Sequence, residues 1–178
     1  MKLTIVLFAF TALLSAQEKA ADPLMSGSKT IFGISKRNIL GSVDKIPEDL
    51  WSFQPTKDVR TFGQLFAHIA DSQYQFCGSA TDGKAEEKGI EKTAKTKAEI
   101  VTALNQAFAY CDQAYSSMND AKGAEQVKFF GMNITRLAIL DFNVAHNMEH
   151  YGNLVTYMRL KNIVPPSSAP RPPAPAKK

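Results

Sequence analysis

The sequence is poor in the residues that build redox centres: its 178 residues include two cysteines and three histidines. No cysteine-rich, carboxylate-rich or haem-attachment ligand set can be assembled from them, which argues against electron-transfer chemistry. Charge of one sign is also scarce, since 21 Lys and Arg against 17 Asp and Glu leave a formal net charge of +4. The mixed-sign run from Lys84 to Lys97 therefore reads as a solvated loop, and nucleic acid is not expected as a partner. Hairpin dipeptides at strand spacing are missing and the apolar periods all lie at about 3.6 residues, so no strand is expected. Beyond the N-terminus no apolar run is long enough to span a bilayer.

What the sequence does hold begins with Lys2, a mostly apolar run from Leu3 to Leu14, and the small pair Ser15-Ala16. Residues 1–16 read as a signal peptide cut near Ala16-Gln17, which implies an exported, periplasmic or secreted, mature protein; retention as an anchor is the alternative. Residues 17–27 are polar around Pro23 and read as a flexible lead-in. The remaining length, in a chain that is 44% hydrophobic, suits one domain, placed at residues 28–164. Residues 165–178 hold six of the nine prolines and are expected to be a disordered tail, either a spacer or a proline-motif ligand.

A first helix is predicted from Ser28 to Val43, with Phe32, Ile39, Val43 and Ile46 near helical spacing, although Gly33 and Gly41 each weaken it by about 1 kcal/mol relative to alanine. Residues 47–59 hold two prolines and no period, and read as a connector. A second helix starts near Thr61, a residue able to cap it, carries Phe62, Leu65, Phe66, Ile69 and Phe76 on one arc, and ends at Gly78. Residues 79–95 read as a long surface loop, of a length that is often functional. The third helix, Lys97 to Met118, has a seam of Ile100, Leu104, Phe108, Cys111, Tyr115 and Met118 in steps of three and four. The fourth, Thr135 to Leu160, carries a main stripe of Leu137, Leu140, Val144, Met148, Tyr151, Val155 and Met158. Four such helices joined by loops close as an all-α, antiparallel four-helix bundle.

His146 and His150 lie four apart on the fourth helix, so both rings leave one face a turn apart and can reach one ion. They share a second stripe with Ile139, Phe142, Asn153 and Tyr157, roughly opposite the main one. His68 sits at the border of the apolar arc of the second helix. That position suits a metal ligand at the mouth of a bundle, and equally an ordinary half-exposed histidine. An HxxxH pair alone is weak, because such pairs arise by chance on long helices.

The segments Phe62-Gly63-Gln64-Leu65-Phe66-Ala67-His68-Ile69-Ala70-Asp71 and His146-Asn147-Met148-Glu149-His150-Tyr151-Gly152-Asn153 resemble the DinB/YfiT-like superfamily, over about residues 27–168. The resemblance implies a four-helix bundle holding one divalent metal, zinc, nickel or iron, through His68, His146 and His150. Members with assigned activity include thiol-dependent S-transferases and isomerases. Low-molecular-weight thiols belong to the cytoplasm, so an exported chain is not expected to use them. Three nitrogens leave a fourth coordination position for water or a small-molecule substrate, the pattern of a catalytic site. The zinc-protease pattern HExxH is absent, because Asn147 follows His146.

Asp71 could orient a ligand or act as a base, and could equally be a solvent-facing carboxylate. Asn153 and Tyr157 could each place a hydrogen bond near the metal's open position or serve only to pack. Glu149 points about 60° away from the histidine face and is either solvated or a partner of an imidazole. Cys77 and Cys111 could pair in an exported chain, yet in a simple antiparallel register they stand several turns apart. The function expected is that of a metal-dependent enzyme of hydrolase or transferase type. The alternative is a non-catalytic bundle using metal for stability or acting as a binding module; a homodimer is left open.

Overall fold

A computed structural model of the protein describes residues 22–82 and 84–170. Residues 1–16, read above as a signal peptide, residues 17–21 of the expected lead-in and residues 171–178 of the expected tail lie outside them. The chain runs α1 (Pro23–Val43), α2 (Phe62–Asp82), α3 (Ile90–Thr93), α4 (Lys97–Ser116), α5 (Asp120–Gly123), β1 (Gln126–Phe129), β2 (Met132–Thr135) and α6 (Arg136–Leu160). The four long helices α1, α2, α4 and α6 form the expected bundle, with Phe32, Phe66, Phe108, Leu104, Ile139 and Leu140 at its centre.

Helix α1 begins earlier than the predicted Ser28, so residues 23–27 are helix rather than flexible lead-in. Pro23 occupies the first turn, where its missing N–H costs nothing, and Asp120 caps the orphan amides of Leu24 (3.2 Å) and Met25 (2.8 Å) from another element. A cap supplied from 95 residues away leaves no local signal. Helix α2 starts as predicted, with Thr61 accepting from the Gln64 amide (3.2 Å) and Gln64 Oε1 accepting from the Thr61 amide (2.9 Å). It passes through Gly78 instead of ending there. A Cβ at Gly78 would stand 2.8 Å from the carbonyl oxygen of Lys84, so this glycine lets the following segment lie against the helix.

The order of directions is the main departure from a simple antiparallel bundle. Gly63 faces Ile100 and Cys77 meets Cys111, so α2 and α4 run parallel. Ser28 bonds Asp141 and Ser35 lies against Asn147, so α1 and α6 also run parallel. Between these pairs the helices are antiparallel: His68 meets His146, and Arg136 reaches the carbonyls of Ala80 and Thr81. The segment 84–96 makes this possible by crossing back along α2, and it carries α3 on the way. It also buries α2 on nearly every side, not along one arc.

Two further expectations fail. The described residues include a hairpin, β1 against β2, with Gln126 opposite Thr135. Its turn is Phe130-Gly131, both at positive φ (46° and 81°), which is the geometry of a tight hairpin turn written with a phenylalanine where Asn or Asp is the usual signal. The proline-rich tail is ordered at its start: Pro166–Ser168 form a 3-10 turn, Ser167 is bonded through both its amide (3.0 Å) and its hydroxyl (2.8 Å) to Tyr151, and Pro166 touches Gly41.

Candidate metal centre

Helix α6 does not have two opposed apolar stripes. Its buried face is continuous, running from Ile139, His150 and Tyr157 through Asn143, Leu154 and Asn147 to Leu140, Val144, Tyr151 and Met158. Two asparagines occupy the middle of that face, which hides it from a hydropathy pattern. They bond across the core: Gln73 Nε2 donates to Asn147 Oδ1 (2.7 Å), and Asn143 Nδ2 donates to Gln73 Oε1 (3.1 Å), while the buried Asn143 Oδ1 has no partner among the described residues. This clasp fixes the rotation of α6 against α2 and so turns His146 and His150 towards His68.

The three Nε2 atoms converge. His146 Nε2 lies 3.2 Å from His68 Nε2 and 3.0 Å from His150 Nε2, and a ligand atom of each lies within 4.8 Å of the others. Nitrogens bound to one tetrahedral ion at about 2.0 to 2.1 Å stand about 3.3 Å apart, so the set fits a single divalent cation. The imidazoles are also in the form a cation needs. Burial, with His150 and His68 beside it, pushes His146 down to about 3; burial and His68 push His150 down to about 4. Burial and the Arg60 guanidinium lower His68 against the opposing pull of Glu91.

Each ring has a different outer neighbour. His68 Nδ1 faces Glu91 Oε2 at 3.3 Å, and Glu91 is held in turn by Arg60, Nε to Oε1 at 2.8 Å. Burial alone would raise the Glu91 carboxyl, but the bond and charge of Arg60, with His68 beside them, hold it below the usual carboxylate range. His150 Nδ1 has the amide of Asn153 at 3.5 Å. His146 Nδ1 is buried with no hydrogen-bond partner among the described residues, and the edge of Phe76 closes its side, with ring centroids 5.2 Å apart. A cleft of about 630 Å³ opens beside the cluster, with Arg60, Glu91, Glu149, His150, Asn153 and Tyr157 among its walls.

A model of the DinB superfamily matches residues 32–154. The chain belongs to that family. Among relatives of this DinB-like protein, YjoA of Bacillus subtilis, itself described as uncharacterized, is 25% identical over 130 residues, covering 71% of this chain and 84% of YjoA. The crystal structure of YjoA superposes with a TM-score of 0.64 at 19% identity, over 76% of this chain and 92% of that one. A DinB-like protein from Bacillus cereus gives 0.68 at 17% identity, over 79% and 95%. The fold is also shared with a mycothiol-dependent maleylpyruvate isomerase, at a TM-score of 0.61 and 11% identity, although the DinB-like chain covers 60% of that longer protein and 73% of itself.

The remaining candidates of the DinB-like chain fall into place around the cluster. Asp71 is neither solvent-facing nor aimed at the histidines: its two oxygens accept from the amides of Ile90 (2.8 Å) and Glu91 (2.9 Å) and hold α3. Tyr157 is buried with its ring against Phe62, and no partner for its hydroxyl is found among the described residues. Glu149 is exposed on the cleft wall. Cys77 and Cys111 pair, with Cα atoms 5.4 Å apart; the parallel course of α2 and α4 brings them together. Glu91 is the site residue that sequence reasoning missed, because it lies in a stretch without period, and the one available hint was the length of that stretch.

Proposed function

We propose that the protein is an exported, metal-dependent enzyme that holds one divalent cation, zinc, nickel or iron, on His68, His146 and His150 and acts on a small molecule in the adjoining cleft. The observation that carries this reading is the convergence of three neutral imidazole nitrogens beside an open cleft, with His150 in its wall. A cation held there supplies Lewis-acid polarisation of a substrate oxygen or stabilisation of a thiolate. The chain's own groups do the rest. The Tyr157 hydroxyl offers a hydrogen bond to a molecule in the cleft, Arg60 is neutralised by Glu91, and Glu149 supplies an exposed carboxylate at the rim. Asn147, not a carboxylate, directly follows His146, so a general base would have to come from the cleft walls, where Glu149 stands.

Hydrolysis or a thiol-independent transfer is favoured over thiol chemistry, because low-molecular-weight thiols belong to the cytoplasm. Export is supported by the Cys77–Cys111 bond, since disulfides persist in oxidising compartments. A purely structural metal is the second reading. The Cys77–Cys111 bond and the stack of Phe32 on Tyr115 hold the bundle without using the histidines, which favours the catalytic type.

The test is elemental analysis of the mature protein purified without chelator or tag histidines, beside a His146→Ala, His150→Ala double variant. About one ion per chain, lost in the variant while helical circular dichroism persists, supports the site. No stoichiometric metal after zinc, nickel and iron have each been offered overturns it, and collapse of the fold on chelation moves the metal to a structural role.

A further inference from the structure

We infer that Glu91, carried on the crossing segment and pinned through Asp71, is a positioning residue that holds His68 with its proton on Nδ1 and its Nε2 lone pair turned to the other histidines. The role given to Nε2 rests on the three-histidine reading above; the role given to Nδ1 does not.

A neutral imidazole carries one proton, and the partner of one nitrogen decides which nitrogen keeps it. His68 Nε2 is the atom that joins the cluster, 3.2 Å from His146 Nε2. Its Nδ1 points the other way, to Glu91 Oε2 at 3.3 Å. A carboxylate accepts and cannot donate, so it selects the Nδ1–H tautomer. The carboxylate is fixed from both sides: Arg60 binds it from the connector before α2, and Asp71 holds the backbone of Ile90 and Glu91 from α2 itself. Asp71 lies one helical turn after His68, so one turn of α2 presents the ring and also fastens the segment that orients it. The other two rings have nothing comparable: an amide at 3.5 Å for His150, and no partner for His146. His68 is therefore the one ligand whose tautomer is set before any cation arrives.

The experiment uses the full mature chain and the variants Glu91→Ala, Glu91→Gln and Asp71→Asn. The first readout is the tautomer of His68, read from the ring 15N shifts of the metal-free protein. The second is zinc affinity, by competition with a chromophoric chelator. In wild type His68 is expected as the Nδ1–H form; Glu91→Ala shifts it towards a mixture while His150 keeps its shifts, and Glu91→Gln, which retains an acceptor, restores part of the population. Zinc affinity falls by about 10- to 100-fold in Glu91→Ala and less in Asp71→Asn, with helical circular dichroism unchanged. An unchanged His68 tautomer in Glu91→Ala overturns the inference whatever zinc does. A wild type that binds none of zinc, nickel and iron sinks the three-histidine reading, and the tautomer measurement still decides the part played by Glu91.

Discussion

The interface between α2 and α4 and the seam between α2 and α6 use the same central helix for opposite ends. Around α4 the groups are closed off: Cys77 of α2 is bonded to Cys111, Phe32 of α1 stacks on Tyr115 at 4.1 Å, and the Tyr115 hydroxyl donates to the Leu140 carbonyl of α6 at 2.7 Å. On the α6 side three imidazoles crowd together, and among the described residues the buried His146 Nδ1 and Asn143 Oδ1 have no hydrogen-bond partner. Buried polar groups left unpaired cost about 1 to 3 kcal/mol, so a fold tolerates them where something else is gained. The contrast indicates that the α4 side supplies the rigidity and the α6 side uses it to hold three nitrogens where they would not otherwise stay.

That division can be broken from the rigid side first. Replacing Cys77 and Cys111 by serine removes a closure of 34 residues in sequence, expected to cost about 4 kcal/mol in the chain-entropy account. Thermal melting should fall by roughly 8 to 15 °C, while the zinc stoichiometry of the folded protein stays the same. A variant that keeps its melting temperature but loses its metal would mean that the two sides are not separate.

Acidification attacks the other side. His146 and His150 have folded-state values of about 3 and about 4, below the ordinary 6.5, so the unfolded chain binds more protons throughout that interval. Stability of the metal-free protein is therefore fully present above about pH 6.5 and is lost progressively as pH falls towards 3. Urea midpoints measured at intervals across that range check the sign; in the His146→Ala, His150→Ala variant the slope should be much shallower. The smallest effect expected is that of Tyr115→Phe, which removes one buried hydrogen bond and should cost about 1 kcal/mol without altering zinc affinity.

How much of this was legible in the sequence depended on whether a residue's partner was local. The α4 seam, Ile100 to Met118, could be read residue by residue, because each apolar side chain there is buried and the period is unbroken. The pairing of His146 and His150 was readable from spacing alone, whereas His68 joined them only through the family resemblance, its place at the border of the apolar arc suiting a half-exposed histidine equally well; the structure brings the three together. The buried face of α6 was misread because Asn143 and Asn147 are core residues in polar form, matched by distant groups such as Gln73, some seventy residues away, and Ser35. The cap from Asp120, the hairpin built on Phe130-Gly131 and the hold of Asp71 on α3 escaped for related reasons: a distant partner or an unusual turn residue leaves no mark on the pattern.

The crossing segment also bears on how the fold is reached. Had the chain turned straight back after α2, Cys77 would stand opposite about residue 102, and Cys111 would lie about 13 Å further along the helix, beyond the 7 Å or so that a disulfide tolerates between Cα atoms. With the crossing made, the two cysteines meet at 5.4 Å. Oxidation within the chain therefore closes only molecules that have already taken the longer route: the other winding keeps both cysteines as thiols and stays open to revision, and the bond holds the chain in the parallel arrangement of α2 and α4 once it is reached.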